Sequence, residues 1–289
     1  MAVSIASFVL MTVAVRQLSG RMTAIQIVCL RSAVALLILL ALAPYVGWSS
    51  YRTRRLGLHA VRNVTHFTGQ YAWVLGLTLA PLALVTAIEF TMPVWVALLA
   101  AVFLGERLPP HRALAIASGI AGVLVIVRPG TGGFGTAVLV VLAGTLGFAI
   151  SVLFVKELLR TDRVITVVFY MSLMQLPLGL AGSAWFWVWP SWNELPWVAA
   201  IGATSLSAHY GMGRALGLGD ASFVLPIDFL RLPCVALAAF LLYGERLSGW
   251  TVLGAALIVA GNYWSVRVEA RAPAARPAPS LASDPGPSR

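Results

Sequence analysis

A handful of ionisable side chains inside long apolar runs are the residues of this sequence best placed to do chemistry. Arg31 lies within "QIVCLRSAVALL", Glu89 within "VTAIEFTMPVW", and Asp228 and Arg231 within "VLPIDFLRLPC". A charge at such depth costs about 2.5–3.5 kcal/mol on insertion scales, so each calls for a partner or a ligand. Arg231 follows Asp228 by three residues and shares its helical face. Arg31 and Glu89 fall at similar depths in two segments that run the same way, and the expectation is that their heads meet. The cationic heads would take an anionic group and the carboxylates an amine, so a zwitterionic ligand would use both. The competing reading is structural, ion pairs that fix helix register. His66, Gln70 and Tyr71 in one segment, and His209 and Tyr210 in another, are placed to face one cavity; a membrane histidine either hydrogen-bonds a neighbouring helix or carries a proton. Trp95 and Trp73 offer rings for stacking or for packing. Neither an HExxH motif nor a glycine-rich phosphate loop accompanies these residues, so no catalytic residue, metal ligand or cofactor is expected.

The elements that position them are membrane helices. The chain has 289 residues, 60% of them hydrophobic and 10% charged, far from soluble composition. Crossing a hydrocarbon core of roughly 30 Å takes about 20 apolar residues per helix. Stretches such as "VWVALLAAVFL" are apolar on every side, which excludes the alternation of a barrel. Turn and charge clusters delimit ten spans at 2–18, 23–44, 60–79, 82–104, 112–128, 135–155, 164–188, 196–216, 221–243 and 250–266. An even number puts both termini on one side. The basic residues concentrate in loops such as 52–55 and 156–163, which the positive-inside rule assigns to the cytoplasm together with both termini. That distribution accounts for the net charge of +10 without a nucleic-acid partner. Trp185, Trp187, Trp189 and Trp192 read as an interfacial belt. From residue 269 the Ala, Pro and Ser content predicts a disordered tail, 269–289.

The tetrad GERL closes two apolar runs, at 105–108 and 244–247. Residues 66–108 laid over 205–247 give 14 identities in 43 positions, with Tyr71 on Tyr210, Phe90 on Phe229, Gln70 on His209 and Glu89 on Asp228. The repeating unit is five helices, 1–130 and 131–268, and an odd number makes the second copy enter the membrane inverted. Inverted repeats commonly form carriers with a site near the midplane. GERL reads as a helix terminus, or as a latch that pairs differently in two states. Pro93, Pro177, Pro226 and Pro233 interrupt spans and permit kinks. The small-residue runs at 117–122 and 254–261 permit close helix approach within the monomer or across a homodimer.

The segment "PLALVTAIEFTMPVWVALLAAVFLGERL", the following "ALAIASGIAGVLVIVRPG" and their echoes "ASFVLPIDFLRLPCVALAAFLLYGERL" and "VLGAALIVAGN" resemble the ten-helix EamA-type transporters of the drug/metabolite transporter superfamily. The likeness covers about residues 5–267. "LSGRMTAIQIVCLRSAVALL" is similar to the branch that includes proposed S-adenosylmethionine and riboflavin carriers. The resemblance implies a carrier of the bacterial cytoplasmic membrane, lipid-embedded, usually an exporter of a small metabolite or drug. The expectation is therefore an all-α polytopic secondary transporter exporting a small amphipathic or zwitterionic metabolite by alternating access. An importer or exchanger of the same fold is the alternative; a membrane-embedded enzyme or a channel is the rival from another class.

Overall fold

A computed structural model describes residues 1–104, 109–128, 135–218 and 227–271; the first GERL tetrad, Pro226 and the end of the expected tail lie outside them. The described residues form helices α1 (Ala2–Leu18), α2 (Ala24–Val46), α3 (Leu56–Leu79), α4 (Leu82–Glu89), α5 (Met92–Leu104), α6 (Pro110–Val127), α7 (Thr136–Leu158), α8 (Val164–Ser183), α9 (Leu195–Leu218), α10 (Arg231–Tyr243) and α11 (Gly249–Arg271). No strand occurs among the described residues. The final helix runs to Arg271, a little into the segment expected as tail.

Two helices are set apart by polarity. Five apolar stretches are long enough to cross a membrane, in α2, α4–α5, α7, α8 and α11, and three shorter apolar helices join them. The 24-residue α3 and α9 are in neither group, because α3 carries His59, Arg62, His66 and Gln70 and α9 carries His209 and Arg214. They are also repeat mates, so each half contributes one polar rod.

Packing follows the repeat. The first helix of each half lies along the third of the other, α1 on α9 and α7 on α3, while α2 packs on its own mate α8 and α6 on its own mate α11. Such pairing is what an inverted two-fold produces, and the chain is an all-α polytopic membrane protein of two inverted five-helix repeats. The small-residue runs serve the α6–α11 contact inside the monomer. A Cβ on Gly122 would lie 2.6 Å from the Gly254 carbonyl oxygen, and Gly261 is pressed against Ser118 and Ala115 in the mirrored way.

The expected fourth and ninth spans are each broken. In the first half the helix ends at Glu89, turns at Phe90 and Thr91, and restarts at Met92; in the second the same turn falls at Phe229 and Leu230. Proline is the cause. Pro93 cannot donate to the Glu89 carbonyl four residues back, nor Pro233 to that of Phe229, and each ring crowds that carbonyl. The buried Phe90 carbonyl, at the break, accepts from Asn262 Nδ2 of α11 at 2.8 Å. Pro177 and Pro44, by contrast, lie inside uninterrupted helices.

The ends are tied across the halves. At the end remote from Met1, Gly244 adopts φ 65° and stops α10, its N–H donating to Phe240. Glu245 then accepts from Arg16 at 2.9 Å and from the Leu82 N–H, the first of α4, at 2.9 Å. GERL in the second half is thus both a helix stop and a clamp. At the Met1 end, Asp162 accepts from Thr53 at 2.6 Å and lies 2.7 Å from His59 Nε2, and Arg55 reaches Glu157 at 2.9 Å. The belt residues Trp185, Trp189 and Trp192 are exposed on the loop after α8.

Candidate functional site

Two polar clusters occupy the centre of the bundle, each built from both halves. The first is a chain of side chains across four helices. Arg31 of α2 donates to Ser205 Oγ of α9 at 2.6 Å and to Gln175 Oε1 of α8, and Gln175 Nε2 lies 2.9 Å from His66 Nδ1 of α3. Because a guanidinium only donates, Gln175 turns its oxygen to Arg31 and must donate its amide hydrogen to His66. His66 Nδ1 is therefore an acceptor and its proton is on Nε2. His209 Nδ1 lies 2.8 Å from the Ser205 carbonyl and so must carry a proton. The two imidazoles meet edge on, centroids 5.6 Å apart, with Phe148 at 5.3 Å from His66 and Phe8 at 5.5 Å from His209.

The second cluster surrounds the helix breaks. Arg231 donates to Glu89 Oε1 from both terminal nitrogens, at 3.0 and 3.1 Å, and lies 3.4 Å from Asp228. Trp73 Nε1 donates to the other Glu89 oxygen at 2.9 Å. The repeat mates Phe90 and Phe229 touch at right angles, centroids 5.3 Å apart, which puts the two-fold axis between the two breaks. The Arg231 guanidinium lies over the rings of Phe90 and Phe8, at 5.0 and 4.7 Å. Phe8 thus touches both clusters.

The expected meeting of Arg31 with Glu89 does not occur. Glu89 is saturated by Arg231 and Trp73, while Arg31 turns to the second half; the turn at Phe90 and its mate brings α10 onto α4 and supplies the nearer cation. The expected Asp228–Arg231 pairing is present. His66 and His209 converge as expected, and Gln70 is buried one turn along α3 from His66. Tyr71 and Tyr210 do not line the centre: each is more than a third exposed and continues its helix's outward stripe, Val61, Val64, Thr68, Tyr71 on α3 and Ala199, Ala203, Tyr210, Arg214 on α9. Their match in the repeat reflects equivalent outward-facing positions. Trp95 is half-buried on α5, and its buried indole N–H has no acceptor among the described residues. Sequence reasoning missed Gln175, Ser205 and Arg62. Gln175, fully buried in the apolar "YMSLMQLPLGL", carried a signal that could have found it, a polar group deep in a span.

A separate surface cleft of about 540 Å³ lies at the Met1 end between α2, α8 and α9, and it is lined by Val46, Asp162, Arg163, Tyr210 and Arg214.

Comparison with known proteins gives the geometry a context. A riboflavin transporter of Rhizobium johnstonii is 33% identical over 228 residues, 78% of this chain and 75% of that one. An S-adenosylmethionine uptake transporter of Rickettsia felis is 25% identical, covering 89% of this chain and 87% of that one. A protein crystal structure superposes with a TM-score of 0.67 at 21% identity over 93% of this chain and 97% of its own, a likeness of fold. The expected export direction is not shown: the Rickettsia relative is named for uptake, whereas a pseudopaline exporter of Pseudomonas aeruginosa is 25% identical over 88% of this chain and 89% of its own. The EamA-like transporter family matches residues 1–128 and again 135–267, so the chain belongs to that family, within the drug/metabolite transporter superfamily, and is a transporter rather than an enzyme.

Proposed function

We propose that the protein is a secondary carrier of the bacterial cytoplasmic membrane that takes up a small heteroaromatic metabolite by alternating access at the central clusters. The observation that carries this reading is the chain Ser205–Arg31–Gln175–His66, closed by His209, because Arg31 and His66 come from the first half and Gln175, Ser205 and His209 from the second, and relative motion of the halves must remake it. Broken helices with repeat-related acids at their breaks are the usual device of such carriers. The aromatic groups Phe8, Phe148, His66 and His209 suit a flat ring, and Gln175 and Arg31 suit its carbonyl and imide edge. Riboflavin and S-adenosylmethionine both present a flat heterocycle with a polar arm. Riboflavin is the better fit: three buried arginines, Arg31, Arg62 and Arg231, face two acids, Glu89 and Asp228, and the surplus positive charge opposes a sulfonium.

The basic loops support cytoplasmic termini, with Glu245 clamping the outer end. The reading is tested by counterflow of labelled riboflavin in proteoliposomes. His66→Ala is expected to lower counterflow at least about tenfold with the protein still folded, in line with loss of a buried hydrogen-bonded contact. Counterflow equal to wild type would remove these residues from the site.

A further inference from the structure

Arg62 lies one helical turn from His66 on the inward face of α3, 4% exposed, and among the described residues its side chain donates to the neighbouring Asn63 Oδ1 alone, at 2.7 Å. Arg31 is 1% exposed and among the described residues donates only to Ser205, Ser32 and Gln175, all neutral. Among the described residues neither has a carboxylate partner, and the Nε of each is buried without an acceptor. Both converge on His66: Arg62 precedes it by one turn of α3, and Arg31 reaches it through Gln175. Both acids of the region are already held by Arg231. Two like charges buried together with no counter-ion are costly in a low dielectric, and an arriving anion gains most in such a place. A guanidinium fork matches the paired oxygens of a carboxylate or phosphate.

We propose that Arg31 and Arg62 form a subsite for an anionic group, a carboxylate or phosphate, on the transported molecule. This rests on the reading that the central region holds that molecule. It refines the substrate class from a neutral heterocycle to one bearing an acidic arm, the heterocycle lying against Phe8, Phe148 and the imidazoles and the arm against the arginine pair. Asn63 Nδ2 is held by the Tyr170 carbonyl at 3.3 Å, which fixes Asn63 Oδ1 towards Arg62 and restrains the guanidinium.

The test is the thermal stability of purified protein titrated with sodium phosphate against sodium chloride of equal ionic strength, together with counterflow competition by riboflavin and riboflavin 5′-phosphate. Phosphate is expected to raise the Tm of the wild type and not of Arg62→Gln. Riboflavin 5′-phosphate is expected to compete about tenfold better than riboflavin in the wild type, the worth of one charge-assisted hydrogen bond, and no better in Arg62→Gln. No phosphate shift in the wild type, or the same shift in both proteins, overturns the subsite. If Arg62→Gln does not fold, Arg62→Met, an apolar chain in place of the buried charge, takes its place with the same two outcomes. A phosphate shift that depends on Arg62 while neither flavin competes keeps the subsite and rejects the heterocycle; riboflavin counterflow without a phosphate shift does the reverse.

Discussion

Arg231 and Arg31 are buried alike, 6% and 1% exposed, but Arg231 is met by Glu89 at 3.0 Å and Asp228 at 3.4 Å, whereas Arg31 meets only hydroxyl and amide oxygens. The same side chain at the same burial therefore does two different jobs. Around Arg231 the protein supplies its own counter-charges from α4 and from Asp228, just before the second break, so the ion cluster joins the two broken helices and is complete without a ligand. Around Arg31 and Arg62 the charge is uncompensated, and the neutral partners orient the guanidinium without satisfying it. One region joins the halves, and the other is the one proposed to receive the substrate.

The largest expected effect comes from making the first region resemble the second. Glu89→Gln leaves Arg231 with Asp228 alone, and breaking a buried pair this way typically costs about 3–5 kcal/mol. A fall in Tm together with loss of riboflavin counterflow is expected; an unchanged Tm would show that the cluster does not hold the breaks together. The converse change sharpens the contrast. Gln175→Glu gives Arg31 the counter-ion it lacks, so Tm should rise while counterflow falls about tenfold, the site having been filled by the protein itself. A smaller effect is expected from Trp73→Phe, which removes one donor from Glu89 and keeps the ring, a loss of about 1 kcal/mol in stability with transport reduced and not abolished.

The smallest effect belongs to the Met1-end tie. Burial pushes the Asp162 carboxyl up, but hydrogen bonds from Thr53 and His59 outweigh it and hold the group below its ordinary value. A depressed carboxylate contributes stability above its unfolded pKa of about 3.9 and loses it as pH falls through the lower folded value. Asp162→Asn should therefore lower Tm at neutral pH, and its curve should meet that of the wild type as pH falls below about 4. Parallel curves across that range would mean the tie carries no pH-dependent stability.

Composition and periodicity made the ten spans, the inverted repeat and the histidine pair legible, because apolar length and repeat-matched polar residues are local signals. The two helix breaks were only half legible. Pro93 and Pro233 mark them, but so did Pro177, whose helix continues, and only packing decides which proline interrupts. The partner of Glu89 was not legible, since depth along a helix says nothing of its rotation: Arg31 has a suitable depth and turns away, while Arg231 reaches Glu89 from the other half. Tyr71 and Tyr210 misled for a related reason. Repeat identity reports equivalent positions, and equivalent positions include those on the outside of the bundle.

The account rests on the two halves meeting at Phe90 and Phe229 and moving against each other there during transport. The most direct measurement is riboflavin counterflow by a Phe90→Cys, Phe229→Cys double variant in which Cys29 and Cys234 are replaced by Ala, before and after oxidation. Cross-linking is expected to stop counterflow and a reductant to restore it. A cross-linked protein that exchanges at the rate of the reduced one would contradict the account.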